Sequence, residues 1–124
     1  MKTFTLDEAN ELLLEIKPKL LELKTLYAVI GEYRLSSRNA SHSSQYGGGM
    51  PGGSDYVNKL FKIGQLATEI ADEGIELKDY SRGLIDFPAE RNGRTVYLCW
   101  EIEDVGEIRW WHEIDDGYAG RQPI

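Results

Sequence analysis

Cysteine is almost missing from this chain: Cys99 is alone among 124 residues. No disulfide can form within the chain, so packing must hold the fold, and a lone thiol fits a reducing compartment. Histidine is nearly as scarce, with only His42 and His112. Positive charge is short too, 14 Lys and Arg against 21 Asp and Glu, for a net charge of −7. A binder that tracks phosphates along a nucleic acid, or an anionic membrane surface, needs the opposite balance. No apolar run approaches the roughly 18 residues of a membrane span; the longest is Leu26 to Ile30. The opening MKTFTLDEANE turns acidic at once and has no apolar core of a signal peptide. What is present is ordinary globular material, 41% hydrophobic and 28% charged, in a length that suits one domain able to bury about two thirds of its surface. The expectation is a cytoplasmic single domain spanning 1–124.

Residues 5–35 read as one long helix. Thr5 and Glu8 make a capping box, preceded by Phe4 in the staple position. Apolar residues recur at Leu6, Ala9, Leu13, Ile16, Leu20, Leu23, Tyr27 and Ile30, in steps of three and four. Pro18 interrupts this pattern and predicts a kink. A second helix is expected over 54–73, with Tyr56, Leu60, Phe61, Ile63, Ala67 and Ile70 on its apolar face and Gly74 at its end. Antiparallel packing would set Ile70 near Ala9. The stretch 36–54 between them is rich in Gly and Ser, the composition of a flexible connector. It lacks the Gly-Lys-Ser/Thr that a phosphate cradle requires.

Residues 75–114 alternate with period two. Asn92-Gly93 is a two-residue hairpin signal, pairing Arg91 with Arg94, Phe87 with Leu98 and Ile85 with Trp100. Asp104-Val105-Gly106 fits a three-residue loop, pairing Ile102 with Ile108, Trp100 with Trp110 and Leu98 with His112. A looser turn over 79–83 sets Leu77 against Ile85. Pro88, opposite Tyr97, falls where the ladder needs no N–H. The predicted fold is α+β: a long antiparallel helical hairpin packed on an antiparallel meander of about four strands, followed by a tail over 115–124.

Four strings in this sequence resemble an uncharacterised prokaryotic family, the domain of unknown function DUF2203. They are FTLDEANELL, GIELKD, GLIDFPAERNGRTVYLCW and IRWWHEIDDGYAGRQPI. The resemblance covers both ends and most of the chain, but not the 36–54 stretch. It implies a small bacterial cytoplasmic protein and carries over no catalytic role. Any function that it implies rests on the shared polar positions Asp86, Cys99, His112, Glu113 and Arg121.

Read for chemistry, His112-Glu113 lacks the second histidine of the zinc HExxH helix. Cys99 could be a nucleophile if a histidine activated it, yet the registers above place Cys99 and His112 on opposite faces. Glu113, Asp115 and Asp116, with Asp86 and His112 near them, form the one cluster suited to a hard divalent cation such as Mg²⁺, Mn²⁺ or Ca²⁺. No cofactor is otherwise expected. Tyr97, Arg109 and Trp111 on the outer face are the residue types that anchor protein interfaces; alternatively the tail GYAGRQPI folds back over Trp111. The second helix is the shorter one, which would leave Leu26, Val29 and Ile30 bare at the far end of the first. A homodimer joined at that patch is therefore expected. The favoured function is a non-enzymatic interaction or structural protein that binds itself or another protein. The competing reading is a metal-dependent hydrolase or small-acid-binding protein.

Overall fold

A computed structural model describes residues 2–40 and 53–124. Helix α1 spans Leu6–Ala40 and α2 spans Gly53–Asp72. Five strands follow: β1 Glu76–Asp79, β2 Leu84–Arg91, β3 Arg94–Glu101, β4 Trp110–Glu113 and β5 Gln122–Pro123. They form one antiparallel sheet in the order β1-β2-β3-β4-β5. This is the expected α+β arrangement of a helical hairpin followed by a meander, with the tail adding a fifth strand. The phosphate-cradle reading of the Gly-rich stretch falls largely outside the described residues. No helix among those described is long and apolar enough to cross a membrane.

The capping box of α1 forms as its sequence dictates. The Thr5 N–H donates to Glu8 Oε1 at 2.8 Å, and the Glu8 N–H donates to Thr5 Oγ1 at 3.1 Å. The helix then runs unbroken through Pro18. Its buried stripe of Ala9, Leu13, Ile16, Leu20, Leu23 and Ile30 follows the heptad spacing read from the sequence.

The two helices meet with a different offset from the expected one. Lys19 pairs with Glu69 at 3.6 Å, and the Tyr33 hydroxyl donates to Asp55 Oδ2 at 2.6 Å. Ile70 therefore lies beside the Lys19 turn, not beside Ala9. The start of α1 packs on the sheet: the Phe4 N–H donates to Pro88 O at 2.7 Å, the Phe4 and Phe87 rings meet at 5.5 Å, and Asn10 Oδ1 accepts the Ile108 N–H at 2.8 Å. This offset corrects the expected bare patch. Ile30 is 1% exposed, Leu26 packs against the core, and Val29 is half-buried. Tyr27 stacks near Tyr80 at 5.6 Å. Phe61, expected on the buried face of α2, is instead 79% exposed.

The β2–β3 pairing is the one read from Asn92-Gly93, from Arg91↔Arg94 to Ile85↔Trp100, with Pro88 opposite Tyr97. Both turn residues take positive φ, 52° and 78°, as a type I′ turn requires. The β3–β4 pairing differs by one residue. Leu98 faces Trp111 and Cys99 faces Trp110, so Tyr97 faces His112. The connection is not a three-residue loop but the whole of 102–109, opening with a 3₁₀ turn over Ile102–Asp104. Within that connection the Ile108 N–H donates to Asn10 Oδ1, which ties it to α1. A shift of one residue turns every β4 side chain over. Trp111 thereby joins the core, and His112 moves to the outer face.

Candidate metal centre

The turned-over β4 brings three chemically distinct side chains together. Asp86 on β2 pairs with Cys99 on β3, and His112 on β4 lies across from Tyr97, two residues before Cys99 on the same face. One ligand atom from each of Asp86, Cys99 and His112 lies within 4.8 Å of the others. They are 3%, 0% and 2% exposed.

His112 decides what the cluster can do. Its Nδ1 lies 2.8 Å from the Glu113 carbonyl, which can only accept, so Nδ1 carries a proton. Its Nε2 faces both Asp86 oxygens, at 3.1 and 3.2 Å. In the neutral ring that nitrogen has only a lone pair, aimed at a carboxylate. Two acceptors cannot face each other in a buried site unless a proton or a cation lies between them. A bond from Nδ1–H to a backbone carbonyl is also the arrangement that orients metal-binding histidines.

The local electrostatics agree. Burial pushes the Asp86 carboxyl up, against the pull of His112 and the bond from Cys99. Burial, and then the Asp86 charge, pushes the Cys99 thiol far above its usual range, while Arg121 draws it down. The protonated, enclosed thiol is no free nucleophile. Beside it the Tyr97 phenol rises to about 12, because it donates to Glu76 at 2.5 Å and is buried. Its ring lies 5.5 Å from that of His112.

The expected acidic cluster is not formed. Glu113 turns to Arg94, accepting from its Nε at 2.6 Å, and that partner holds its carboxyl below the ordinary range. Asp115 and Asp116 are exposed. Of the five residues read as hard-cation candidates, only Asp86 and His112 meet, and their third companion is Cys99. An imidazole, a thiol and a carboxylate make a borderline donor set suited to Zn²⁺ or its neighbours, not to Mg²⁺ or Ca²⁺.

The remaining outer-face residues also fall differently. Glu101 is buried and pairs with Arg82 at 2.5 Å. Arg109 is exposed and donates to Val105 O at 3.0 Å. Trp111, expected on the outer face, is in the core under the Arg91 guanidinium at 4.3 Å. The tail does fold back over the sheet, but over Trp110: β5 pairs with Trp110 and Trp111, and Arg121 lies 4.9 Å from the Trp110 ring. Sequence reasoning assigned no contacts to Arg82, Tyr118 and Arg121. The available signal was the coincidence of Asp86, Cys99 and His112 on one face when β4 is slid by a single residue.

No curated protein and no solved structure matches the chain. A family model described as "Uncharacterized conserved protein (DUF2203)" matches residues 2–124. The chain belongs to the DUF2203 family of uncharacterised conserved proteins.

Proposed function

We propose that this protein binds one divalent transition-metal ion of the Zn²⁺ class through His112 Nε2, Cys99 Sγ and an Asp86 oxygen. The carrying observation is that His112 Nε2 faces both Asp86 oxygens, at 3.1 and 3.2 Å, beside the Cys99 thiol, with the ring fixed from behind by its bond to the Glu113 carbonyl. Three protein ligands leave a fourth position for water or an anion, the pattern of reactive rather than closed zinc sites. An ion would also bring the Cys99 proton off, since a coordinating thiol is deprotonated. The buried thiol fits the reducing cytoplasm. Titration of the full chain with Co²⁺ tests this. A one-to-one complex with a thiolate-to-metal absorption band, lost in Cys99→Ser and displaced by Zn²⁺, supports it. The absence of such a band, together with no melting shift in Zn²⁺, overturns it; an ion at 100 times its Kd would add about 2.7 kcal/mol of stability.

Self-association is a second reading, carried by a different observation. Phe61 is 79% exposed, with Val57 and Leu60 on the same face of α2. Beside it Gly64 has open space where a Cβ would stand, in a groove closed by Gln65 and Thr68. A protruding ring next to a notch on one face is self-complementary, which a twofold pairing of two copies requires. Sedimentation of the wild type and Phe61→Glu checks it: a monomer in both cases removes this reading.

A further inference from the structure

The tail brings a cation against the same face as the three ligands. A 3₁₀ turn over Tyr118–Gly120 ends with the Arg121 N–H bonded to Tyr118 O at 3.1 Å, which fixes where Arg121 starts. Its guanidinium lies against the rings of Trp110, at 4.9 Å, and Tyr118, at 4.7 Å. Trp110 is the cross-strand partner of Cys99. These contacts hold the guanidinium on the sheet face that carries Cys99.

The Arg121 side chain is only 9% exposed, yet it is under-used. One Nη2 hydrogen goes to Asp104 Oδ2 at 2.9 Å, and that carboxylate is itself held by the Glu101 N–H at 2.9 Å. The Nε–H is buried with no partner. Among the described residues, the one other buried side-chain polar atom in that state is Trp100 Nε1, on the apolar side of the sheet. A guanidinium's Nε–H and the adjacent Nη2–H form the edge that grips a carboxylate or phosphate with two parallel bonds. Arg82 stands differently: it also stacks on Tyr118, at 3.9 Å, but it serves buried Glu101.

We propose that Arg121 is an anion-binding arm of this site, holding a small oxyanion (a carboxylate or phosphate group) beside the ion carried by Asp86, Cys99 and His112. This rests on the metal reading above and adds the class of ligand that the open position serves.

The test uses the full chain loaded with Co²⁺ and titrated separately with acetate and inorganic phosphate. The visible d–d bands should shift saturably with at least one of them, and whichever binds names the oxyanion. Arg121→Met should keep Co²⁺ binding but weaken the anion by roughly tenfold or more, as expected for losing a bidentate pair. Arg121→Lys should recover part of the affinity, because a point charge lacks the planar edge. If neither anion moves the bands, or if Arg121→Met titrates like the wild type, the anion-binding role is overturned while the metal site stands. If Co²⁺ never binds, the metal reading falls, and melting of the metal-free chain in the same two anions judges Arg121 alone. A stabilisation abolished in Arg121→Met would keep the arm, and no stabilisation would remove it.

Discussion

The two faces of β2, β3 and β4 are equally dry and differ in almost everything else. The inner face carries Ile85, Phe87, Ala89, Val96, Leu98, Trp100 and Trp111, packed on the helices. The outer face carries Asp86, Tyr97, Cys99, Glu101 and His112, all buried as well. Apolar burial stabilises at roughly 25 cal/mol per Å², so the inner face explains itself. Burying a carboxylate, an imidazole and a second carboxylate in 124 residues costs stability unless each is paired. A small protein that needed only a second packed layer would have met that need with leucines. The polar face is therefore where function should be sought.

The largest expected effect belongs to the inner face. Trp111→Ala should cost about 3–5 kcal/mol as a core truncation, and Trp110→Ala clearly less, since its half-buried ring supports Arg121. Chemical denaturation of both variants separates the faces; equal losses would blur the distinction. Next comes the outer cluster. Asp86→Leu alone should cost about 3 kcal/mol by stranding His112, whereas the Asp86→Leu/His112→Leu pair should recover most of it. The double variant would then fold well and bind no metal, which is the outcome expected of a cluster kept for function. If the double variant is as unstable as the single one, the cluster is structural.

A smaller effect is read with pH. Tyr97 has a folded pKa raised from 10.0 to about 12 by its bond to Glu76. A raised folded value means that the native state holds the proton more tightly. This contribution is complete below pH 10 and is lost as pH climbs through 12. Tyr97→Phe should flatten the fall of stability across that window, as followed by denaturation at several alkaline pH values. Smallest of all, Phe61→Ser on the exposed flank of α2 should change monomer stability by no more than about 0.5 kcal/mol, measurable as an unchanged denaturation midpoint.

Legibility in the sequence tracked how local each determinant is. Asn92-Gly93 names its own turn, and the β2–β3 register followed from it residue by residue. Thr5 and Glu8 likewise named the start of α1. Asp104-Val105-Gly106 also looked like a turn, and Val105 and Gly106 do take positive φ, 50° and 77°. The connection nevertheless runs over 102–109 and is held from outside by Asn10, whose Oδ1 accepts the Ile108 N–H. A partner so distant in sequence is not legible in a local turn signal, and the placement of His112 was missed with it. The helix offset failed for the same reason. The heptad seam specifies which face of α1 is buried, but not where along it α2 lies, which the Lys19–Glu69 and Tyr33–Asp55 contacts mark.

The bond between Asn10 and Ile108 spans 98 positions of sequence, and this bears on the order in which the protein can form as it is synthesised. At about 5–20 residues per second, a ribosome needs roughly 5–20 seconds to travel that span. The later part of α1 does not wait so long, since Asp55 follows Tyr33 by 22 positions and the two helices can pair early. The first turns of the same helix, with Ala9 and Leu13, must stay without their sheet until β3 and β4 have been made. One continuous helix thus matures in two stages, its second half first. Its opening segment is the stretch most in need of shelter during synthesis.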